Sequence, residues 1–242
     1  VVEGATGMIG VAMAFQPAAN VLVAVGSSDP ASATASPTTL TFTPTNYNTP
    51  QNVTVGGVQD VDVVDDSSTI TLSTPGLPAV GVPVSVTDDD TQQIIISNTT
   101  FTIGEGNNAL LGVNLAFQPT GNVIVNAASS DPVSATVMPA MLTFTPMNWD
   151  LIQDVNVTGE QDVDVTDDSA QVTISSAGLT SIGVAITVDD EDVQLIVTDV
   201  IQLNVTENQT DVVAVTLAFQ PANNVQVTAA SSDPGAVGVV PP

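Results

Sequence analysis

The 242-residue chain contains no lysine, arginine, histidine or cysteine, and only 3% of it is aromatic. With no basic side chain it cannot release counterions from a polyanion, which excludes nucleic acid and anionic membrane surfaces as partners. Without cysteine and histidine there are no disulfide staples and none of the ligands that Zn²⁺ and Cu²⁺ normally want. The absence of lysine also rules out Lys–Asn isopeptide crosslinks. No apolar run approaches the roughly 20 residues of a membrane helix, and no signal peptide is visible.

What the chain does hold is acid and aliphatic residues. All 26 charged side chains are Asp or Glu, giving a formal charge of −26, yet 43% of the residues are apolar. So acidic a composition would be disordered if its apolar residues were sparse; here they stand in alternating runs rich in Val and Thr, which is sheet material. A cysteine-free composition also suits large bacterial surface proteins.

The landmarks repeat. "AFQP" occurs at 14, 116 and 218, "SSDP" at 27, 129 and 231, and "LTFTP" at 40 and 142, a period of 102 residues without insertion or deletion. A period of that size predicts tandem domains, since about 100 residues make one independent core. The predicted division is residues 1–92, 93–194 and a partial third copy, 195–242. Val1 aligns with Ile103, inside a repeat, so the natural amino terminus is expected to lie beyond this chain. The first copy lacks the counterparts of residues 93–102 and the third stops at Pro242. The ends therefore predict an excerpt from a longer polymer, with completion of the open sheets by neighbouring chains as the alternative.

Within the middle copy, period-two alternation predicts seven strands. They fall in "QIIISNTTFTI" (93–103), "LLGVNLAF", "NVIVNAA", "MLTFT", "QDVNVTG", "AQVTISS" and "IGVAITV", separated by turn residues in "QPTG", "SSDP", "TPMNW" and "AGL". Seven short strands with no intervening helix predict an all-β fold of tandem immunoglobulin-like seven-stranded β-sandwiches. In such a sandwich the loops after the first, third and fifth strands share a pole with the end of the seventh. That placement gathers at one pole all the acids of the chain except Asp150, Asp154 and Asp199. The opposite pole is nearly uncharged.

Carboxylates a few ångströms apart repel by on the order of several kcal/mol per pair at an effective dielectric of about 20. With no basic residue available, proton uptake, full solvation or a bound cation must offset that. Oxygen ligands alone select a hard cation, and loops that mix carboxylates with carbonyls suit Ca²⁺ better than Mg²⁺. Solvated acids are the alternative. The site is not an EF-hand, because "DVDVVDDS" has neither the central Gly nor the closing Glu.

Each copy resembles a Calx-beta domain. The resemblance lies in an order of motifs: "EG" at 3 and 105, "LTFTP" followed by "QNVTV" or "QDVNV", an Asp-rich turn, "TITL" or "VTIS", and a closing "TDDD" or "DDED". It implies Ca²⁺ ligation by Glu3, Asp60, Asp62, Asp65, Asp66, Asp88 and Asp90 in the first copy. In the second it implies the same role for Glu105, Asp162, Asp164, Asp167, Asp168, Asp190 and Asp192. The array is also similar, more loosely, to extender repeats of calcium-dependent bacterial adhesins.

Only "TQ" separates the first closing acidic run from "QIII", too short and too poor in Gly and Ser for a flexible tether. Cations at that junction would fix the angle between neighbours. These readings predict an extracellular or cell-surface rod, an adhesin stalk, filament or matrix component, that calcium stiffens and whose partners are neighbouring copies of the same repeat. They do not predict an enzyme: paired carboxylates can cleave glycosides, but here the cluster recurs in every copy with hardly an aromatic beside it. The alternative is a carbohydrate-binding module of a secreted protein, with Trp149 and its counterpart Tyr47 as a platform for a host or matrix glycan; covering the end of the core is the reading preferred for both. Asn-x-Ser/Thr sequons at Asn52, Asn98, Asn156, Asn204 and Asn208 are read mainly as outward positions on strands.

Overall fold

Alternation decides which face of each strand is buried. In Val21–Ser27, Val23 and Val25 point inward while Leu22 and Ala24 point to solvent. In Ile182–Asp189, Val184, Ile186 and Val188 are buried and the residues between them exposed. The computed structural model describes residues 1–240; residues 241 and 242, which close the third stretch, lie outside the described residues. The described chain is all-β, with two immunoglobulin-like sandwiches in tandem.

The first sandwich contains β1 (Thr6–Val11), β2 (Val21–Ser27), β3 (Ala33–Ser36), β4 (Thr39–Phe42), β5 (Gln51–Gly57), β6 (Asp66–Ser73) and β7 (Val80–Val86). Its sheets run β1-β5-β3 and β4-β2-β6-β7. The second contains β8 (Ile94–Ile96), β9 (Thr100–Gly104), β10 (Asn108–Leu115), β11 (Val123–Ser129), β12 (Ala135–Met138), β13 (Met141–Phe144), β14 (Gln153–Gly159), β15 (Asp168–Ser176) and β16 (Ile182–Asp189). Here the sheets are β12-β14-β10-β8 and β13-β11-β15-β16-β9. Beyond it, β17 (Ile196–Thr198) and β18 (Val215–Leu217) form a two-stranded sheet.

The seven-strand layout is modified in two ways. The stretch 93–103, read as a single strand, is two: β8 lies antiparallel on β10, and β9 crosses to the facing sheet to run parallel to β16, with Ile103 opposite Val188. In addition, β12 supplies a short strand beside β14. Between the sheets, Leu111, Phe144, Val155 and Ile174 are fully buried in the second core, as are Phe42, Val53 and Ile70 in the first. Each such side chain contributes roughly 1.5–3 kcal/mol on burial. Among the described residues, the third stretch contributes none to the buried core.

Strand polarity brings the acids together. Asp189 at the end of β16 pairs with Gly104 at the end of β9, Gly159 ends β14 beside Ala135, and Asp168 opens β15 opposite Val188. The loops that follow these ends form one pole of the sandwich. Against the corresponding pole of the first sandwich sits the second: the Gln118 N–H donates to the Val61 carbonyl (2.7 Å), and Asp62 and Gln118 form a parallel bridge. One period later the Gln220 N–H donates to the Val163 carbonyl (2.8 Å).

Candidate metal centre

Each site begins with the Glu-Gly pair. Glu3 follows the first residues of the copy; its N–H donates to the Thr87 carbonyl (3.0 Å), and the Gly4 N–H donates to the Gly57 carbonyl (3.1 Å). The pair therefore straddles the seam between the two sheets. Gly4 adopts φ +65° and Gly106 φ +68°, the left-handed turn that swings the chain from the seam into β1 or β10. The seam is tight: a Cβ on Gly57 would stand 2.6 Å from the Val2 carbonyl oxygen, and one on Gly159 would stand 2.9 Å from Val188 Cγ1. A side chain at position 57 would force the Val2 backbone next to Glu3 to shift, and one at position 159 would press on Val188 and the Gly104 carbonyl next to Glu105.

The aspartates hold one another through the backbone. In the first copy the Asp62 N–H donates to Asp60 Oδ1 (2.9 Å), Val64 N–H to Asp62 Oδ1 (2.8 Å), Asp88 N–H to Asp65 Oδ1 (2.9 Å) and Asp90 N–H to Asp88 Oδ1 (2.8 Å). The second copy repeats the set with Asp164 onto Asp162, Thr166 onto Asp164, Asp190 onto Asp167 and Asp192 onto Asp190, at 2.7 to 3.0 Å. Three of the four bonds in each copy join an Asp side chain to the N–H two residues on, which acids spaced two apart allow, and the fourth ties the Asp-rich turn to the closing run 23 residues later. Each turn uses one carboxylate oxygen and leaves the other free.

The free oxygens converge. Glu3, Asp60 and Asp88 each bring a carboxylate oxygen within 4.8 Å of the others, as do Glu105, Asp162 and Asp190. Glu3 is 3% exposed and Glu105 4%. Glu3 Oε1, Asp88 Oδ2 and Asp190 Oδ2 are buried with no hydrogen-bond partner. Burial pushes the Glu3 carboxyl above the usual carboxylate range, the Asp60 N–H partly offsets this, and the charges of Asp60, Asp88 and Asp89 add to it. Glu105 is raised by burial and by Asp162, Asp190 and Asp192, against the opposing pull of the Asp162 N–H. Asp90 and Asp192 are raised in the same way, by burial first and then by the neighbouring acids, among them Asp60 and Asp88 or Asp162 and Asp190. Convergent carboxylates with unpartnered buried oxygens among them, two in the first group and one in the second, fit a hard cation, and two acidic triads of this chain therefore can hold a metal ion.

The other acids of the set are arranged around the triads. Asp65 and Asp167 anchor the closing acidic run, while Asp62 and Asp164 each close the next turn. Asp66 and Asp168 open β6 and β15 in register with Val86 and Val188. Asp29 and Asp131 cap their own loops, accepting from Ala31 N–H and Ser32 Oγ, and from Val133 N–H and Ser134 Oγ. Two glutamines join the sites: Gln59 donates to Asp89 Oδ1 (2.7 Å), and Gln161 donates to Glu105 Oε2 (3.2 Å). Their sequence signal is the "QD" shared by positions 59 and 161. Trp149 packs against the core, and its carbonyl accepts from the Leu115 N–H, as that of Tyr47 does from Met13.

No family model matches the chain, and no curated protein matches its sequence. Among solved structures it is similar to domains 4 and 5 of the S-layer protein SbsC, at 18% identity and a TM-score of 0.38, over 69% of this chain and 70% of that one. The Escherichia coli adhesin FdeC is 13% identical with a TM-score of 0.34, over 81% of this chain and 59% of that one. A Bacteroides ovatus GH5 xyloglucanase is 14% identical with a TM-score of 0.31, over 41% of this chain and 19% of its own. The chain thus spans under two thirds of the latter two proteins. At these TM-scores the likenesses carry no argument about activity, and the fold stands on the strand pairing itself.

Proposed function

We propose that the chain is a segment of an extracellular structural rod whose joints are stiffened by Ca²⁺ held in the acidic triads, with Calx-beta-like repeats as its modules. The observation that carries this reading is the position of the triads: the turn that supplies Asp60 also offers the Val61 carbonyl on which the next sandwich docks. Glu3, Asp60 and Asp88, with Asp90 beside them, would hold one ion; Glu105, Asp162 and Asp190, with Asp192, would hold another. The ion supplies positive charge to a pole that has none. Neutralised, the acidic turn keeps its shape and with it the docking strip; stripped of metal, it is driven apart by its own charge. Millimolar calcium outside cells is enough to fill weak oxygen sites of this kind. A fibre or stalk in which each module touches only its neighbours is the setting such joints suit, and catalysis is disfavoured because the same cluster recurs at each joint.

The test is metal content of the dialysed chain by mass spectrometry, together with X-ray scattering and melting in millimolar CaCl₂ and in EGTA. At least one calcium per full copy is expected, with a rise in melting temperature of several degrees and a narrower distribution of dimensions when it is bound. Scattering and melting indifferent to EGTA would overturn the reading.

A further inference from the structure

The first sandwich meets the second through two of its segments, and both carry acids of its triad. Val61, between Asp60 and Asp62, offers its carbonyl to the Gln118 N–H (2.7 Å), and Asp62 and Gln118 form the parallel bridge. Just beyond Asp90, Gln92 grips the loop that follows β10: its Nε2 donates to the Phe117 carbonyl (2.6 Å) and its Oε1 accepts from the Phe117 N–H (3.2 Å). The Gln93 carbonyl accepts from the Ala116 N–H (2.9 Å). That loop is itself fixed to the second sandwich. Gln118 Nε2 donates to the Pro146 carbonyl (2.7 Å), and Pro119 is buried. One anchored loop therefore holds the turn that supplies Asp60 and the run that supplies Asp88.

Within the first sandwich those two segments carry charge of one sign. Across them lie the bond from the Asp88 N–H to Asp65 Oδ1 (2.9 Å) and that from Gln59 to Asp89 Oδ1 (2.7 Å), both in contact with solvent. Bonds that water can replace contribute little, and repulsion among Glu3, Asp60 and Asp88 opposes them. The loop of the next sandwich is a further tie, and it recurs one period on. Gln194 grips Phe219 (2.7 and 3.1 Å), the Ala218 N–H donates to the Leu195 carbonyl (2.9 Å) and the Gln220 N–H to the Val163 carbonyl (2.8 Å). There the tied segments belong to the triad of Glu105, because Val163 lies between Asp162 and Asp164 and Gln194 follows Asp192.

We infer that the loop Ala116–Gln118 positions the metal centre of the preceding sandwich, with Gln92 as the residue that couples the two, so that each centre reaches its full calcium affinity only with the following module docked on it. The inference rests on the calcium reading of the triads. Bringing two acidic segments together costs repulsion and chain entropy before an ion arrives. A dock that already holds both removes that cost, and the ion tightens the joint by the factor by which the joint tightens the ion. The coupling is local to each joint. The second triad is tied through Phe219 and Gln220, so it does not sense Gln92.

Calcium calorimetry of the full chain tests this with one centre disabled at a time. Glu105→Gln leaves the first centre to be measured and Glu3→Gln the second, and Gln92→Ala is added to each. The dissociation constant of the first centre is expected to rise about tenfold, within the range usual for coupled sites, while that of the second stays where it was. Gln194→Ala is expected to do the reverse. Gln92→Met keeps the length of the side chain and loses both hydrogen bonds, so it should act as Gln92→Ala does; Gln92 is only partly buried, and neither replacement opens a core. A Gln92 that merely steadied the second sandwich would weaken the second centre instead. That result, or a first centre indifferent to both replacements, would overturn the inference and leave the calcium reading standing. Absence of calcium binding with Gln92 in place would overturn both.

Discussion

An aspartate has two oxygens, and at this pole they do different work. One accepts from the N–H two residues on and shapes the turn; the other is left facing its neighbours. Which acids would converge was therefore not legible in the sequence. "DVDVVDD" shows that acids are concentrated, and the repeat shows that the concentration matters twice, but Asp60 and Asp62 make the same turn bond, and only the fold's placement of Asp60 beside Glu3 and Asp88 separates them. The raised carboxyls give this arrangement a measurable signature in the metal-free chain. Glu3, Asp90, Glu105 and Asp192 hold protons to higher pH folded than unfolded, so through that window the native state binds more protons. Stability in EGTA is thus expected to be greatest near the ordinary carboxylate range, to fall as pH rises through the raised values, and to level off above them. Glu105→Gln removes one of these charges, so it is expected to flatten the fall and raise the melting temperature in EGTA at neutral pH by a few degrees. In calcium the sign reverses, because the variant loses stabilisation by the ion, worth about 2.7 kcal/mol at a hundredfold excess over the dissociation constant. Calorimetry from pH 4 to 8 with and without calcium measures both.

At the scale of elements, the strands were largely legible because burial on one face forces period two. The division of residues 93–103 was not, since alternation records which side chains are buried and is silent about which backbone a strand pairs with. Ser97, Asn98 and Thr99 interrupt the pattern only weakly, yet there the chain leaves β10 and joins β16. β12 was missed for a related reason: four residues before Pro139, half of them polar or exposed, carry too little periodicity to be separated from a loop. The Glu-Gly turn connects this scale to the site. Replacing Gly106 by Ala forces a side chain into the left-handed conformation at φ +68°, which is expected to cost about 1–2 kcal/mol. Space is not the obstacle, as the added carbon would meet Gln161 only at 3.6 Å. Gly106→Ala should therefore lower stability in EGTA and weaken calcium binding together, whereas a substitution that merely loosened the core would lower stability alone; denaturant titration beside calcium calorimetry separates the two.

For the whole molecule, the decisive quantity is a charge of −26 with no basic side chain to balance it. Each acidic pole gathers its share of that charge at a joint, so in the metal-free chain the turns that carry the docking carbonyls repel one another within the pole. Salt screens such repulsion: the Debye length falls from about 30 Å at 0.01 M to about 3 Å at 1 M. In EGTA, raising NaCl over that range is expected to increase the melting temperature by several degrees and to sharpen the distance distribution in X-ray scattering. In saturating calcium the same change should do much less, because a coordinated ion neutralises the triad at contact distance, where mobile ions add little. An equal response to salt in both conditions would mean that the charges at the joints are fully solvated, and that the joint is held by the glutamine and backbone contacts alone.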